Sequence, residues 1–341
     1  AEGASTAQAT FSITINPVND APTVSGITTS DPTFTEGGSA VGVFSGATVD
    51  VQESAQQVQS LSVEVSSVSD GSAEILVVDG SEVALTDGNL VSGTASGLDA
   101  NVGVASGTAT VNVTASDGGS LTEATAETVI NDLTYKNTSE DPSTGTGRTI
   151  TLTEVQDDGG TPNGGDDTAS PGESGTVTLD AVNDAPTIAG DQSISVTEGA
   201  SVTLGSSDLD GVDPDDSGTE LTYSVTTAPS NGTIEVGGTA ASAGDTFTEA
   251  DLNNGDIAYV HDGSQTSSDA FDLTLTDGDE DGAGDATATV SVSITTENDV
   301  PTVVSNGELT LDEGTASTIT QGLLETTDEE SGPSGLQYTI D

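Results

Sequence analysis

Carboxylates dominate this chain. Of its 341 residues, 58 are Asp or Glu and only 2 are Lys or Arg, a formal charge of -56 at pH 7. Any compact state crowds these like charges, so a fold has to offset its own repulsion. Apolar material for that is scarce: Leu, Ile, Val and Phe number 71, about 21% of the chain, close to the level at which charged sequences stay unfolded. Cys is absent, which removes disulfides, thiolate metal sites and thiol redox chemistry. With so few Lys and Arg, nucleic acid and anionic membrane surfaces are excluded as partners. No apolar run approaches the roughly 18 residues of a membrane-spanning helix. The start, Ala1-Glu2-Gly3, has neither the basic nor the apolar stretch of a signal peptide. The length fits two or three domains. What remains is a disordered acidic chain or a fold that recruits cations.

Periodicity selects the fold. Phe271, Leu273 and Leu275 alternate with Asp272, Thr274 and Thr276, which gives a strand one apolar and one polar face. The same alternation recurs at Phe11-Ile13-Ile15, Leu61-Val63-Val65, Val111-Val113, Ile150-Leu152, Val177-Leu179, Ile194-Val196, Val290-Val292-Ile294 and Leu309-Leu311. Asp-Gly, Asn-Gly and Gly-Gly pairs separate these runs at about the 8–12-residue spacing of a sandwich. One stretch reads as helical, Thr248 to Leu252, with a capping-box pattern and a stop at Asn254-Gly255. The expectation is an all-β, antiparallel fold with one face of each sheet wet.

A repeat underlies this rhythm. Asn19-Asp20-Ala21-Pro22-Thr23, Asn183-Asp184-Ala185-Pro186-Thr187 and Asn298-Asp299-Val300-Pro301-Thr302 each follow an alternating strand. Each precedes a Glu-Gly pair: Glu36-Gly37, Glu198-Gly199 and Glu313-Gly314. Ile130 to Tyr135 parallels Asn254 to Tyr259, and Asp157-Asp158-Gly159 parallels Asp277-Gly278. This register divides the chain into 1–18, the last strand of a preceding repeat; 19–182, a repeat with an insertion near 69–110; 183–297, a second repeat; and 298–341, the start of a third. The chain is then a window on a longer array of stacked repeats.

These residues resemble cadherin-like repeats: the Asn-Asp-Ala-Pro linker, the Glu-Gly of the first strand, an early Asp-x-Asp, and an Asp-Gly after the penultimate strand. Residues 247–278 resemble the bacterial cadherin/CSPG-type variant, frequent in very large RTX-type surface adhesins. The resemblance implies tandem Ig/cadherin-like antiparallel β-sandwich domains joined by calcium-binding linkers. Calcium takes about six to eight hard oxygen ligands, more than one strand supplies and about what a junction offers. For the first complete junction the implied ligands are Glu36, Asn183, Asp184, Asp208, Asp210 and Asp277, with Asp141 as an addition. The next would use Glu198, Asn298, Asp299 and Asp328, with Asp262 or Asp269. The upstream junction retains Asn19, Asp20, Asp50 and Asp157. Asp50-Val51-Gln52-Glu53 lacks the spacing of Asp208-Leu209-Asp210. Most remaining acids read as solvated turn residues, since Asp-Gly pairs are ordinary hairpin chemistry. Two or three Ca²⁺ per junction offset only about 4–6 charges, and the surplus also suits a saline habitat, where salt screens repulsion.

Other chemistry fails on inventory. The single His261, beside Asp262-Gly263 and Ser264, is by the resemblance a loop or strand-end residue rather than part of a triad. Sugar cleavage needs aromatic platforms beside its carboxylates, and only 4 Tyr and 5 Phe exist. Asp279-Glu280-Asp281-Gly282 and Asp213-Pro214-Asp215-Asp216 depart from the EF-hand pattern. No enzyme is expected. The expected role is a calcium-rigidified extender of a large, secreted bacterial cell-surface adhesin or filament, holding binding modules away from the cell. Its partners would be neighbouring repeats, identical chains, or a surface glycan or protein met through other modules. The alternatives are a direct ligand-binding or homophilic module, for which the insertion is the natural place, or a subunit of a surface lattice or sheath.

Overall fold

A computed structural model describes residues 8–15, 18–278, 282–332 and 334–339. The chain forms two compact units, Ala1–Val182 and Asn183–Asp341. Each is built on a sandwich of two sheets, and strand dominates throughout.

In the first unit the larger sheet runs in the order Leu90–Val91, Leu98–Ala105, Thr108–Ala115, Val58–Ser66, Arg148–Asp157, Glu173–Asp180 and Thr33–Thr35, with Thr168–Ala169 added beside Arg148–Asp157. The facing sheet runs Val41–Gly42, Thr134–Asn137, Glu74–Val78 and Ser81–Ala84. Inward residues alternate as the pleat requires: Leu61, Val63 and Val65 are buried, and so are Val111, Val113, Ile150 and Leu152. The long hairpin Leu98–Ala115 extends the larger sheet within the region expected to carry the insertion.

The second unit repeats the plan with shorter strands. One sheet orders Ser193–Thr197, Ala286–Thr295, Ser268–Thr276, Thr222–Thr227 and Thr246–Thr248. The other orders Ser201–Thr203, Ile257–His261, Gly232–Val236 and Thr239–Ala241. Stacked Tyr223 and Phe247, with ring centroids 5.0 Å apart, and stacked Tyr259 and Phe271 fill its core. Thr302–Asn306 and Leu324–Thr327 pair separately.

Pairing is antiparallel except at one edge of each sandwich. Thr33–Thr35 runs parallel to Thr178–Asp180, and Ser193–Thr197 runs parallel to Ser291–Thr295. That parallel register delivers each Glu-Gly pair beside the residues that close the last strand: the Glu36 N–H donates to the Asp180 carbonyl and the Glu198 N–H to the Thr295 carbonyl.

Three expectations need correction. Helix Glu249–Asn254 forms as read, with a Thr248/Asp251 capping box and Gly255 left-handed at φ 79°. A second helix, Glu123–Asn131, joins it, capped by the Thr122 hydroxyl on the Thr125 N–H and burying Ala126, Val129 and Ile130. Phe11-Ile13-Ile15 and Leu309-Leu311, read as strands, lie in no strand. Phe11, Ile13 and Ile15 are 75–87% exposed. Alternation suits a segment to a sheet, but a strand exists only where a partner's N–H and C=O groups complete it. Of Asp279-Glu280-Asp281-Gly282, the three acids fall outside the described residues.

Candidate metal centres

One hydrogen bond recurs at each Asn-Asp: the Asp N–H donates to a loop carboxylate, of Glu53, Asp215 or Glu330. In the first unit Asn19 Nδ2 donates to Asp157 Oδ1 at 2.9 Å and to the Asp166 carbonyl at 2.8 Å. Asp157 closes strand Arg148–Asp157, and its Oδ1 also accepts from the Gly159 N–H at 2.9 Å. The Asp20 N–H donates to Glu53 Oε1 at 3.2 Å. Gly159 leaves room here: a Cβ on it would lie 2.2 Å from Asn19 Oδ1 and 2.4 Å from Gln56 Nε2, so those side chains would have to shift. With these bonds made, Asn19 Oδ1, Glu53 Oε2, Gln56 Oε1 and Asp157 Oδ2 are buried and have no hydrogen-bond partner in the protein. Asp157 itself is fully buried. A buried carboxylate oxygen without a partner is costly. Four oxygens, two from side-chain amides and two from carboxylates, with no nitrogen or sulfur acceptor among them, form a donor set that suits a hard cation such as Ca²⁺.

The second unit repeats the geometry. Asn183 Nδ2 donates to Asp277 Oδ2 at 3.0 Å, and the Asp184 N–H to Asp215 Oδ2 at 2.8 Å. Asp213 Oδ1 accepts the N–H groups of Asp215 and Asp216, while Asp184 Oδ2 and Asp213 Oδ2 are buried without a partner. At the third Asn-Asp, the Asp299 N–H donates to Glu330 Oε2 at 3.1 Å, and Asp328 Oδ1 accepts from the Ser331 N–H at 2.7 Å.

The Glu-Gly carboxylates form further acidic groups. Glu36 Oε2 accepts the Val182 N–H at 3.0 Å, and Glu36 and Glu140 approach within 4.8 Å. Glu198 Oε2 accepts the Glu297 N–H at 3.1 Å, and one carboxylate oxygen from each of Glu198, Asp299 and Glu330 lies within 4.8 Å of the others. Gln265 Nε2 donates both to Glu198 and, at 3.0 Å, to Asp299.

Of the expected ligands, Asn19 meets Asp157, Asn183 meets Asp277 and Glu198 meets Asp299, while Asp20 and Asp184 reach Glu53 and Asp215 through their backbone N–H groups. Asn298 donates to the Asp299 carbonyl, beside that last pair. Others are engaged elsewhere. Asp50 is exposed and accepts the Gln52 N–H. Asp208 accepts the Gly205 N–H inside its own turn, and Asp210 lies in the strand paired with Thr187–Ala189. Asp141 is exposed and tied to Ser139. Asp262 accepts the Ser264 N–H at 2.9 Å, and hydrogen bonds from Ser264 hold its carboxyl below the usual range. Asp269 accepts the N–H groups of Ser230, Asn231 and Ala270 and the Tyr259 hydroxyl. Burial opposes its ionisation, but those donors outweigh burial and hold its pKa below the ordinary value.

Residue-type reasoning missed Glu53, Gln56, Asp213, Asp215, Glu140 and Glu330. A signal for three of them was present: Glu53, Asp215 and Glu330 stand 34, 32 and 32 residues after their linker Asn. In the first unit Val51 occupies the place that Asp213 and Asp328 hold two residues before Asp215 and Glu330.

Residues 186–294 match the family model described as cadherin-like. Extracellular matrix protein 3 of Lytechinus variegatus is 30% identical over 126 residues, 36% of this chain and 4% of that protein. The human extracellular matrix organizing protein FRAS1 is 30% identical over 133 residues, 39% of this chain and 3% of that protein. The chain thus spans only a few per cent of these relatives' length. Among solved structures, Drosophila N-cadherin EC1-4 aligns over 93% of this chain and 61% of that chain at 12% identity, with a TM-score of 0.26. By the family model, residues 186–294 form a cadherin-like domain, and the relatives that the chain matches are named as extracellular matrix proteins. Among the described residues no helix is long and apolar enough to cross a membrane.

Proposed function

We propose that this chain is a calcium-loaded extender segment of a large extracellular adhesin or filament protein, of the bacterial cadherin-like type, whose Asn-Asp linkers bind Ca²⁺ and stiffen. One observation carries the reading: Asp157 is fully buried with Oδ2 lacking a partner, beside the equally unpartnered oxygens of Asn19, Glu53 and Gln56. Ca²⁺ supplies the positive charge that this chain's side chains lack. Asn19, Glu53, Gln56 and Asp157 would hold it at the start of the first unit, and Asn183, Asp184, Asp213, Asp215 and Asp277 at the start of the second.

Electrostatics support the same reading. Two carboxylates 4.8 Å apart repel by about 1 kcal/mol in bulk water and ~3 kcal/mol at an effective dielectric of 20. Acidic groups like that of Glu198, Asp299 and Glu330 therefore favour a bound divalent cation. An ion that binds only the folded state stabilises it by about 2.7 kcal/mol at a hundredfold excess over Kd.

The test is calorimetric titration and thermal melting of the full chain in Ca²⁺ and in chelator, with X-ray scattering for maximum dimension. Ca²⁺ raises the melting temperature and the maximum dimension, and the double variant D157N/E53Q loses one class of bound ion. Identical melts and dimensions in Ca²⁺ and chelator would overturn the proposal.

A further inference from the structure

The only histidine of the chain is buried. His261 ends strand Ile257–His261, and its side chain has no exposed surface. Its Nδ1 accepts two backbone N–H groups, from Gly199 at 3.1 Å and Gly263 at 3.2 Å. Its Nε2 lies 3.1 Å from Thr266 Oγ1. Two donors converging on Nδ1 leave no place for a proton there. The tautomer that matches these donors carries its proton on Nε2 and donates it to Thr266. The nearest carboxylate, Asp262, stands 3.9 Å from Nε2 on an about half-exposed side chain, too far for a hydrogen bond.

This ring joins two segments. The His261 N–H donates to the Ala200 carbonyl at 3.0 Å, so ring and backbone together fasten the turn 197–200. Through Gly263 and Thr266 the ring fastens the following loop as well. The turn carries Glu198 and the loop carries Gln265, whose amide reaches both Glu198 and Asp299. Gly199 at φ 69° and Gly263 at φ 82° present their N–H groups from left-handed turns, which favour glycine.

The first unit has Asn at the same place. Asn137 ends strand Thr134–Asn137 two residues after Tyr135, as His261 follows Tyr259, and is 4% exposed. Its Oδ1 accepts the N–H two residues on, from Ser139 at 2.9 Å, as His261 Nδ1 accepts that of Gly263. Three residues further along lies Glu140, within 4.8 Å of Glu36. Asn Oδ1 and His Nδ1 branch from the same carbon of the side chain, so each puts an acceptor at one distance from the backbone. Gln puts its acceptor one bond further out.

We infer that His261 and Asn137 are equivalent positioning residues: a buried acceptor at the δ position that sets the loop bearing Gln265, or Glu140, against the Glu of Glu-Gly. His261 does this as the neutral Nε2–H tautomer. The link to ion binding rests on the calcium reading above; the tautomer and the clasp do not.

The test compares the full chain with H261N and H261Q. Long-range ¹H–¹⁵N NMR of the single imidazole at neutral pH gives an unprotonated Nδ1 and a protonated Nε2; the opposite assignment overturns the inference. Amide exchange at Gly199 and Gly263 stays slow in H261N and speeds by about tenfold or more in H261Q, where the two bonds are lost. Ca²⁺ titration follows the same order: H261N binds as the parent does, and H261Q weakens one class of site by about two- to tenfold. Equal behaviour of H261N and H261Q in exchange overturns the clasp. If no protein binds Ca²⁺, the proposed function fails while the NMR and exchange results still decide this inference.

Discussion

Replacing Arg148 with Met removes one of the two basic side chains of the chain, and the one that is 1% exposed. Arg148 Nε and Nη2 bond Glu74 Oε1 at 3.1 and 2.8 Å, and Nη2 also reaches Asp70 Oδ2 at 3.1 Å and Ser69 Oγ at 2.9 Å. Nη1 binds the Ser143 and Thr146 carbonyls, so the guanidinium holds the loop that carries Glu140. Burial works against its charge, but the bond and charge of Glu74 outweigh this and raise its pKa. Met fills much of the volume and leaves Glu74, itself fully buried, without its counter-ion. Asp70 retains Asn137 Nδ2 and the Ser143 N–H, so the penalty falls mainly on Glu74.

Breaking a buried pair from one side costs about 3–5 kcal/mol. For a unit of this size each kcal/mol shifts the midpoint by roughly 2–4 °C, so one calorimetric transition of the full chain falls by about 6–20 °C. Adding E74Q removes the stranded charge but keeps an oxygen for the Ser69 and Asp70 N–H groups that Glu74 Oε1 now accepts. R148M/E74Q therefore recovers much of the loss. A fall below ~1 kcal/mol, or a double variant weaker than R148M, would refute the view of this cluster as a desolvated clasp.

Two further perturbations probe the ends of the units. Gly159→Ala drives a Cβ into Asn19 Oδ1 and Gln56 Nε2; we expect a loss of about 1–3 kcal/mol and weaker Ca²⁺ binding at that end, read by melting and calorimetry. For Asp269 the folded pKa lies below the ordinary Asp value of 3.8, so its contribution is complete above about pH 5 and is lost as pH falls through the lower folded value. Urea melts of D269N and parent should accordingly differ by a constant amount from pH 5 to 8 and converge under stronger acid.

Strand identity was legible in the sequence because burial follows the pleat. Every inward residue of Leu61-Val63-Val65 or Phe271-Leu273-Leu275 is buried, as alternation requires. Phe11 to Ile15 shows the limit, since pattern states what a segment suits and not whether a partner strand is present. Helix Glu123–Asn131 was missed although Leu121-Thr122-Glu123 resembles Phe247-Thr248-Glu249 in the helix that was read. The linker Asn and the Asp of Asp-Gly were legible from register, because strand ends fix both. Which loop acid faces them was not. Gln52 at φ 68° turns the backbone so that Glu53, not Asp50, meets Asp20, and a local bond to Gly205 occupies Asp208. Such choices depend on turn dihedrals that residue type only weakly constrains.

With almost no cationic side chains, this protein satisfies most of its described carboxylates from the backbone. Asp31 accepts the Thr176 N–H, Asp117 that of Gly119, Asp166 that of Thr168 and Asp191 that of Ser193, three of them two residues along in Asx-type turns. Acids used this way build turns, and where they are exposed water solvates the charge that remains. Burial picks out a smaller set, oxygen by oxygen. Among the described residues, the buried carboxylate oxygens left without a hydrogen-bond partner belong to Glu53, Glu74, Asp157, Asp184 and Asp213. Glu74 has Arg148. The remaining four all lie in the hydrogen-bonded sets around Asn19-Asp20 and Asn183-Asp184. Net charge alone could not separate a saline-adapted surface from an ion site. The distribution of unpaired oxygens supports the proposed ion sites, because screening by salt acts on exposed charge and leaves a buried, unpartnered oxygen as costly as before.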